Sequence, residues 1–470
     1  MNRSVFSMET SKVLKEKLFM KRQHGVFRMS EAELAECDNF CENYKDFMDI
    51  AKIEREAVNY TVELLKNNGY VEYKSGMPLN AGDKIYRNNR GKAVVMAIIG
   101  TAPIEEGVRL CAAHIDSPRL DLKQNPLYED SETALFKTHY YGGLKKYQWT
   151  AIPLALHGVV IKADGTTVEV NVGEDENDPV FCVTDLLPHL ANDQMAKPLA
   201  KGITGEQLNL LIGSRPFRDD EASEAVKLNI MNILFEKYGI TEADFISSEL
   251  EAVPAFKAKD VGFDRSMIGA YGHDDKVCAY TALMATVDCN NPEHTVVTVL
   301  TDKEETGSDG NTGLCSAYLK YFIADIAETL GSDCRTVLSA SECLSADVNA
   351  AFDPTFPEVN ERNNCAYINR GVCITKYTGA RGKSGTSDAS AEFTGRIRRL
   401  MDSHNVIWQT GELGKVDAGG GGTVAAYIAN LNVDTIDMGV PVLSMHAPFE
   451  VVSKIDTYMA YKAFSVFIND

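Results

Sequence analysis

Two adjacent carboxylates, Glu304 and Glu305, sit in the stretch Thr301-Asp302-Lys303-Glu304-Glu305-Thr306-Gly307-Ser308, directly after a β-branched apolar run from Thr295 to Leu300. Such a run reads as a buried strand, and the carboxyl ends of buried strands are where open α/β sheets place their ligands. Adjacent like charges repel, so the pair needs cations or unequal protonation to be tolerated. Four further segments carry matching chemistry. His114 and Asp116 lie two residues apart at the end of an apolar run, where positions i and i+2 of an extended chain point the same way. Asp274 precedes an apolar helical stretch, Asp347 follows a second strand-like run, and His446 lies in a turn before the last helix. His114, Asp274, Glu305, Asp347 and His446 together offer two imidazoles and three carboxylates. That set suits two zinc-like ions, each with one histidine and one terminal carboxylate, sharing the third carboxylate as a bridge. Paired ions of this kind activate water for hydrolysis, and a separate base must still accept and return its proton. Glu304, beside a ligand yet free to face that water, is the candidate base.

Each residue alone carries little weight. A strand-end histidine is ordinarily a hydrogen-bonded structural residue, Asp347 could cap a helix, and Asp274-Asp275 could be a turn. Rival chemistries find less support. The run Gly419 to Gly422 is not followed by the Lys-Ser/Thr pair of a phosphate loop, and no Gly-x-Ser-x-Gly elbow occurs. His139, His157, His189, His294 and His404 read as structural or surface residues.

The elements that must position these residues follow from the pattern of the whole chain. Its 470 residues exceed one simple core and predict two domains, or one domain carrying an insertion. A hydrophobic share of 44% and a charged share of 24% are those of an ordinary globular protein. The net charge of -20 argues against nucleic acid or an anionic membrane as the main partner. The longest apolar run is strand-sized, and the first eight residues lack the unbroken apolar core of a signal peptide. Eleven scattered cysteines without a CxxC pair fit reduced thiols, hence a cytoplasmic location.

Ser30 to Glu33 matches a capping box and opens a long helical segment from Leu34 to Asn68 that Gly69 stops. Strands are predicted over Lys92 to Gly100 and Val108 to Ala113. Residues 122–254 change character to short alternating runs, including Leu154 to Ile161 and Thr167 to Val172, with a helix around Ala222 to Tyr238. This reads as a β-rich module, closed or sandwich-like, inserted between a first part (1–121) and a second part (255–470) of one α/β domain. In that second part, strands are predicted at Arg335 to Ser341, Val372 to Tyr377 and Val433 to Met438, with a helix from Ser387 to His404. The alternation argues for a largely parallel central sheet.

The order and wording of these motifs resemble the M18 family of metallo-aminopeptidases, the aspartyl aminopeptidase and aminopeptidase I group, and most closely its bacterial members. His114-Ile115-Asp116, Asp274-Asp275, Asp302-Lys303-Glu304-Glu305-Thr306-Gly307-Ser308, Ser345-Ala346-Asp347 and Ser444-Met445-His446 occur in the family's order over nearly the whole chain. The resemblance implies a zinc-peptidase fold and a co-catalytic centre of two zinc ions, with manganese or cobalt as other occupants. Asp274 would bridge, His114 and Asp347 would hold one ion, and Glu305 and His446 the other. Glu304 would be the general base, and Asp116 the carboxylate that orients His114. A strained Asp274–Asp275 peptide, the cis form among the options, is implied as well. So are a dimerisation role for the inserted module, a tetrahedral dodecamer, and peptide substrates with a free N-terminus. One departure concerns a histidine that some members carry four residues after a Pro-His-Leu-Ala histidine, reaching a neighbouring subunit. Here that motif is Pro188-His189-Leu190-Ala191, and the position is Asp193.

A two-metal carboxypeptidase or amide deacylase could use nearly the same ligands, and a non-catalytic assembly protein would not need Glu304. The preferred N-terminal residue stays open between acidic and neutral. The basic stretch from Lys376 through Arg381 to Lys383 could supply a cation for an acidic side chain or be a solvated loop.

Overall fold

The computed structural model of the chain describes residues 10–470 apart from 21, 220 and 380. The first eight residues, read above for a signal peptide, lie outside the described residues. Three sheets organise the described residues. The largest has nine strands, and its centre is built from Thr295–Thr301, Val108–His114, Glu342–Ser345 and Asp434–Gly439, side by side and all parallel. Ala93–Ile98 and Val372–Thr375 flank them antiparallel, so the sheet is mixed but mostly parallel, as the alternating pattern predicts.

Every residue of Thr295–Thr301, Val108–His114 and Ala93–Ile98 is buried, because helices cover both faces. The strand period of two sorts the side chains. Val296, Leu300, Cys111 and Ala113 pack with the helices Glu31–Ile50, His273–Asp288 and Lys454–Ile468. Val297, Val299, Leu110 and Ala112 pack on the other face with Tyr318–Thr329 and Cys334–Ala340.

Residues 119–254 form a separate antiparallel sheet of seven strands, from Arg119–Asp130 to Ser248–Pro254, around its own core of Leu120, Phe136, Trp149 and Leu250. The sheet nearly closes on itself, since Leu154 and Phe181 exchange two backbone hydrogen bonds of 2.8 Å. The helix Ala225–Tyr238 packs against it through Val226. A small five-stranded sheet, which includes Met267–Ala270, Pro441–Leu443 and Glu450–Ser453, carries the remaining site segments.

Two predicted elements differ. The segment Leu34 to Asn68 is two helices, Glu31–Ile50 and Glu54–Asn67. The break falls at Ala51, where the carboxylate of Glu56 accepts the N–H groups of Lys52 (3.1 Å) and Ile53 (3.3 Å) and so starts a second helix. Residues Arg335 to Ser341 are not a strand. Cys334–Ala340 is a helix whose N-terminus is capped by Asp333, which accepts from the N–H groups of Arg335 and Thr336, a contribution of about 1 kcal/mol. The strand begins only at Glu342. The capping box at Ser30 and Glu33 forms as read.

Candidate active site

The central strands deliver their ends to one edge. Thr301 and His114 stand opposite each other in register, and Ser345 pairs with Ala112. Just beyond these ends the chain turns to present Glu304, Glu305 and Asp347. Gly439, at the end of the neighbouring strand, is required as glycine, since a Cβ there would collide with the carbonyl oxygen of Asp347. Asp274 and Asp275 open the helix His273–Asp288, and the peptide between them is cis. His446 lies in the turn between Pro441–Leu443 and Glu450–Ser453.

All five sequence-derived ligand candidates and both supporting carboxylates meet at this edge. The two oxygens of Asp274 face different imidazoles: Oδ1 lies 3.1 Å from Nε2 of His114, and Oδ2 lies 3.1 Å from Nε2 of His446. Around His114 Nε2 stand Asp347 Oδ1 at 4.0 Å and Glu304 Oε2 at 3.9 Å, while Glu305 Oε1 is 3.5 Å from His446 Nε2. His114 and Asp274 are buried, whereas Glu304, Glu305, Asp347 and His446 are half-buried, so the cluster is open on one side. A cavity of about 240 Å³ bounded by Gly143, Lys145, Gln148 and Met445 adjoins His446.

The imidazoles are oriented from behind. Nδ1 of His114 faces the carbonyl oxygen (3.1 Å) and Oδ1 (3.3 Å) of Asp116, and Nδ1 of His446 faces the carbonyl oxygen of Gly143 at 2.6 Å. Both contacts leave the Nε2 atoms turned toward Asp274.

Tyr141, Glu450, Lys276 and Ser117, to which the sequence reading gave no role, hold this geometry together with Asp116 and Asp275. Asp116 also accepts the backbone N–H groups of Glu304 (3.1 Å) and Glu305 (3.2 Å), and the hydroxyl of Tyr141 donates to it at 2.8 Å. Glu450, fully buried, accepts the N–H groups of Asp274 (3.0 Å) and His446 (2.6 Å). Lys276 donates to the Ser117 hydroxyl at 2.7 Å, which in turn donates to the carbonyl oxygen of Asp274 at 2.9 Å. Asp275 accepts the His114 N–H through Oδ2, and its carboxylate lies near His114 and Asp347. The carboxylate four residues after His446 was a legible signal for Glu450. Tyr141 stands before a Gly142-Gly143 turn in a segment read only as β-rich.

Protonation is strongly displaced throughout. Burial raises Asp347 and Glu305 far above the usual carboxylate range, with Asp275 and Asp274 respectively adding repulsion. Burial and the negative charge of Asp274 push Glu304 up to about 7, against the pull of His114. Burial would lower His446, yet the carboxylates of Asp274 and Glu305 push it up to about 10. The cluster has more negative charge than its own imidazoles can balance. Oε1 of Glu305 and Oδ1 of Asp275, both buried, have no hydrogen-bond partner among the described residues. Imidazole nitrogens and hard carboxylate oxygens within a few ångströms, with orphaned acceptors among them, fit divalent cations of the zinc type.

The other histidines lie apart. His157 is buried between Glu56 and Glu174, His273 bonds to Tyr44, and His189 is exposed in the turn Pro188–Leu190. In the basic stretch, Lys376 and Lys383 both pair with Asp388, at 2.5 and 2.8 Å.

Comparison with known proteins identifies the family. Residues 47–468 match the family described as Aminopeptidase I zinc metalloprotease (M18). A relative from Clostridium acetobutylicum, named Probable M18 family aminopeptidase 1, is 50% identical over 451 residues, 94% of this chain and 97% of its own. Its namesake from Thermotoga maritima is 46% identical over 438 residues, covering 91% and 96%. Among solved structures, aminopeptidase I from Clostridium acetobutylicum superposes with a TM-score of 0.92 at 47% identity, covering 96% of this chain and 100% of that one. The M18 aminopeptidase of Thermotoga maritima also gives 0.92, at 44% identity, covering 96% and 99%. The yeast mApe1 dodecamer shares the fold, with a TM-score of 0.75 at 20% identity over 92% of this chain and 97% of that one. The class these matches define is that of the metalloexopeptidases, hydrolases of the zinc type. Within it, the chain belongs to the M18 family of aminopeptidases.

Proposed function

We propose that the chain removes N-terminal residues from peptides at a centre of two divalent ions, held by His114, Asp347, Glu305 and His446 with Asp274 between them. The observation that carries this reading is Asp274 itself. Its two oxygens stand at equal distances, 3.1 Å, from the Nε2 atoms of two different imidazoles, the arrangement a bridging carboxylate needs. His114 and Asp347, 4.0 Å apart, would hold one ion, and Glu305 and His446, 3.5 Å apart, the other. Zinc is the proposed occupant, since the donor set is nitrogen and carboxylate oxygen. When bound, the ions polarise the scissile carbonyl and lower the proton affinity of water.

The protein's own groups do the rest. Glu304 takes the proton of the attacking water and returns it to the departing amine, which requires a carboxylate free of ligand duty on the open side of the cluster. Asp116 fixes both the ring of His114 and the turn that aims Glu304. The excess of carboxylates attracts the protonated amino terminus of a peptide and disfavours a free C-terminal carboxylate. Because Lys376 and Lys383 are already engaged by Asp388, we take the preferred N-terminal residue to be neutral.

Residues 122–254 are assigned as an inserted dimerisation domain between the two parts, 1–121 and 255–470, of a catalytic domain. Exposed Leu186, Leu187, Leu190 and Met195 on that segment favour burial against another copy, and a dodecamer like the yeast one is the proposed assembly. No described helix is long and apolar enough to cross a membrane, and the scattered free cysteines favour a cytoplasmic setting.

The test is metal analysis of the purified protein together with paired assays on free-amine and N-acetylated peptides. Two metals per chain and a strict need for the free amine are expected. Cleavage of acetylated or C-terminal substrates instead would make the chain a deacylase or carboxypeptidase.

A further inference from the structure

A second cavity, of about 50 Å³, lies where the segment before the helix Glu31–Ile50 crosses the loop leading into the strand Val372–Thr375. Its lining includes Arg22, Arg28 and Arg370, with the rings of Tyr367 and Trp408, and among the described residues no carboxylate. Among the described residues none of the three arginines makes an ion pair, the charge of Arg22 reaching Glu361 only at a distance, although the chain holds 67 acidic residues against 47 basic ones. Three guanidinium groups around one hollow repel each other unless an anion sits between them.

The hollow is held in place. Buried Asp456 accepts the N–H groups of both neighbours of Arg370, Asn369 at 2.7 Å and Gly371 at 2.6 Å. The Gln409 amide clamps Tyr367 by accepting its N–H at 2.8 Å and donating to its carbonyl at 2.7 Å. The guanidinium of Arg370 lies 4.2 Å from the centre of the Tyr367 ring, which fixes the plane of its donor fork. The crossing segment is anchored by the Gly25 N–H on the Asn369 carbonyl (2.7 Å) and by Arg22 on the Asn363 carbonyl (2.9 Å). His24, in the same segment, is lowered by burial and by the positive charge of Arg370, as a cationic neighbourhood requires.

We infer that this hollow is a binding site for a phosphate-type oxyanion, either free or as the monoester of a small molecule. A site of this volume holds about four waters or one tetrahedral oxyanion. Three planar guanidinium forks match a doubly charged, multidentate acceptor better than a single carboxylate. A bound oxyanion bridges Arg22 and Arg28 to Arg370 and thereby pins the crossing segment onto the loop. Trp408, rather than Tyr367 with Arg370 over its ring and Phe352 packed beside it, offers a face for a ring attached to the phosphate.

The experiment is calorimetric titration of the metal-loaded enzyme with inorganic phosphate and, separately, adenosine monophosphate, with Arg28→Ala and Arg370→Ala beside wild type. One anion per chain is expected, weakened about tenfold or more in each variant, the loss typical of a charged hydrogen bond. Phosphate should also slow trypsin cleavage after Arg22 and Arg28. Tighter binding of the monophosphate assigns an organic phosphate as the ligand, and tighter binding of inorganic phosphate assigns the free anion. No binding up to about 10 mM, the weak end of specific association, overturns the site. So does binding that is unchanged in both variants, since the anion then sits elsewhere, at the metals for instance. Arg28 is exposed and its side chain has no hydrogen-bond or ion-pair partner among the described residues, so its variant keeps the fold and keeps the test decisive if Arg370→Ala does not.

Discussion

The hydroxyl of Tyr141 donates to Oδ2 of Asp116 at 2.8 Å, joining a strand of the antiparallel sheet to the carboxylate that holds the Glu304-Glu305 turn. The Tyr141 ring is itself covered by the buried guanidinium of Arg119, 3.9 Å from its centre, and Arg119 pairs with Glu251 at 3.0 Å. Asp116 thus receives a donor from residues 119–254 and two from the turn that carries the base.

Tyr141→Phe removes one donor to Asp116 and nothing else of size. The expected result is a fall in kcat of about tenfold, the order of one lost charge-assisted hydrogen bond, with KM and metal content near wild type. Steady-state kinetics beside metal analysis checks this. Loss of metal, or a change confined to KM, would contradict a role in aiming the turn.

Asp274→Ala should release both ions, whereas Glu305→Ala and Asp347→Ala should each release one first. The distinction follows from the two oxygens of Asp274 facing different imidazoles. Metal analysis after dialysis reads it directly, and unchanged content in Asp274→Ala would rule out the bridge.

A panel of N-terminal aminoacyl substrates tests the pocket. Neutral residues should be cleaved with kcat/KM at least about tenfold above aspartyl or glutamyl ones, because the two lysines of the basic stretch 376–383 are paired with Asp388. Preference for acidic residues would mean that one of those pairs opens to the substrate.

His157 supplies a pH-dependent test of stability away from the metals. It lies between Glu56 (2.7 Å) and Glu174 (3.2 Å), and these carboxylates raise it above 6.5 although burial opposes them. A raised histidine stabilises the fold in full below its unfolded value of 6.5, and the contribution fades as pH rises through the folded value. Its partner Glu174, held down to about 2 by His157 and Lys52 against burial, keeps its contribution until strongly acid pH. His157→Gln should therefore cost on the order of 1–2 kcal/mol at pH 6 and less at pH 10, read from denaturant unfolding at both. An equal loss at the two pH values would mean that packing, not charge, makes the contribution.

Much of this was legible before any coordinates. Strand ends could be read because Thr295–Thr301 and Val108–His114 are buried on both faces and are dominated by apolar and β-branched residues. The residues at those ends then stood out by type. What stayed hidden depends on contacts distant in sequence or on local caps. Cys334–Ala340 passes for a strand because Val337 and Leu338 are apolar, and only the Asp333 cap tips it to helix. The second helix starts at Glu54 on the strength of one carboxylate, Glu56, in an otherwise continuous helical pattern. Tyr141 reaches Asp116 across 25 positions, which no spacing rule links; Glu450 stands four residues after His446, but its bond to Asp274 spans 176 positions.

Glu304→Gln puts the central claim to its most direct test. The amide keeps the shape and the backbone hydrogen bond to Asp116 but cannot carry the proton. Metal content should stay near wild type while kcat on a free-amine peptide falls by about 10²–10⁴-fold, the usual contribution of a positioned base. A Glu304→Gln enzyme with full turnover would contradict the account.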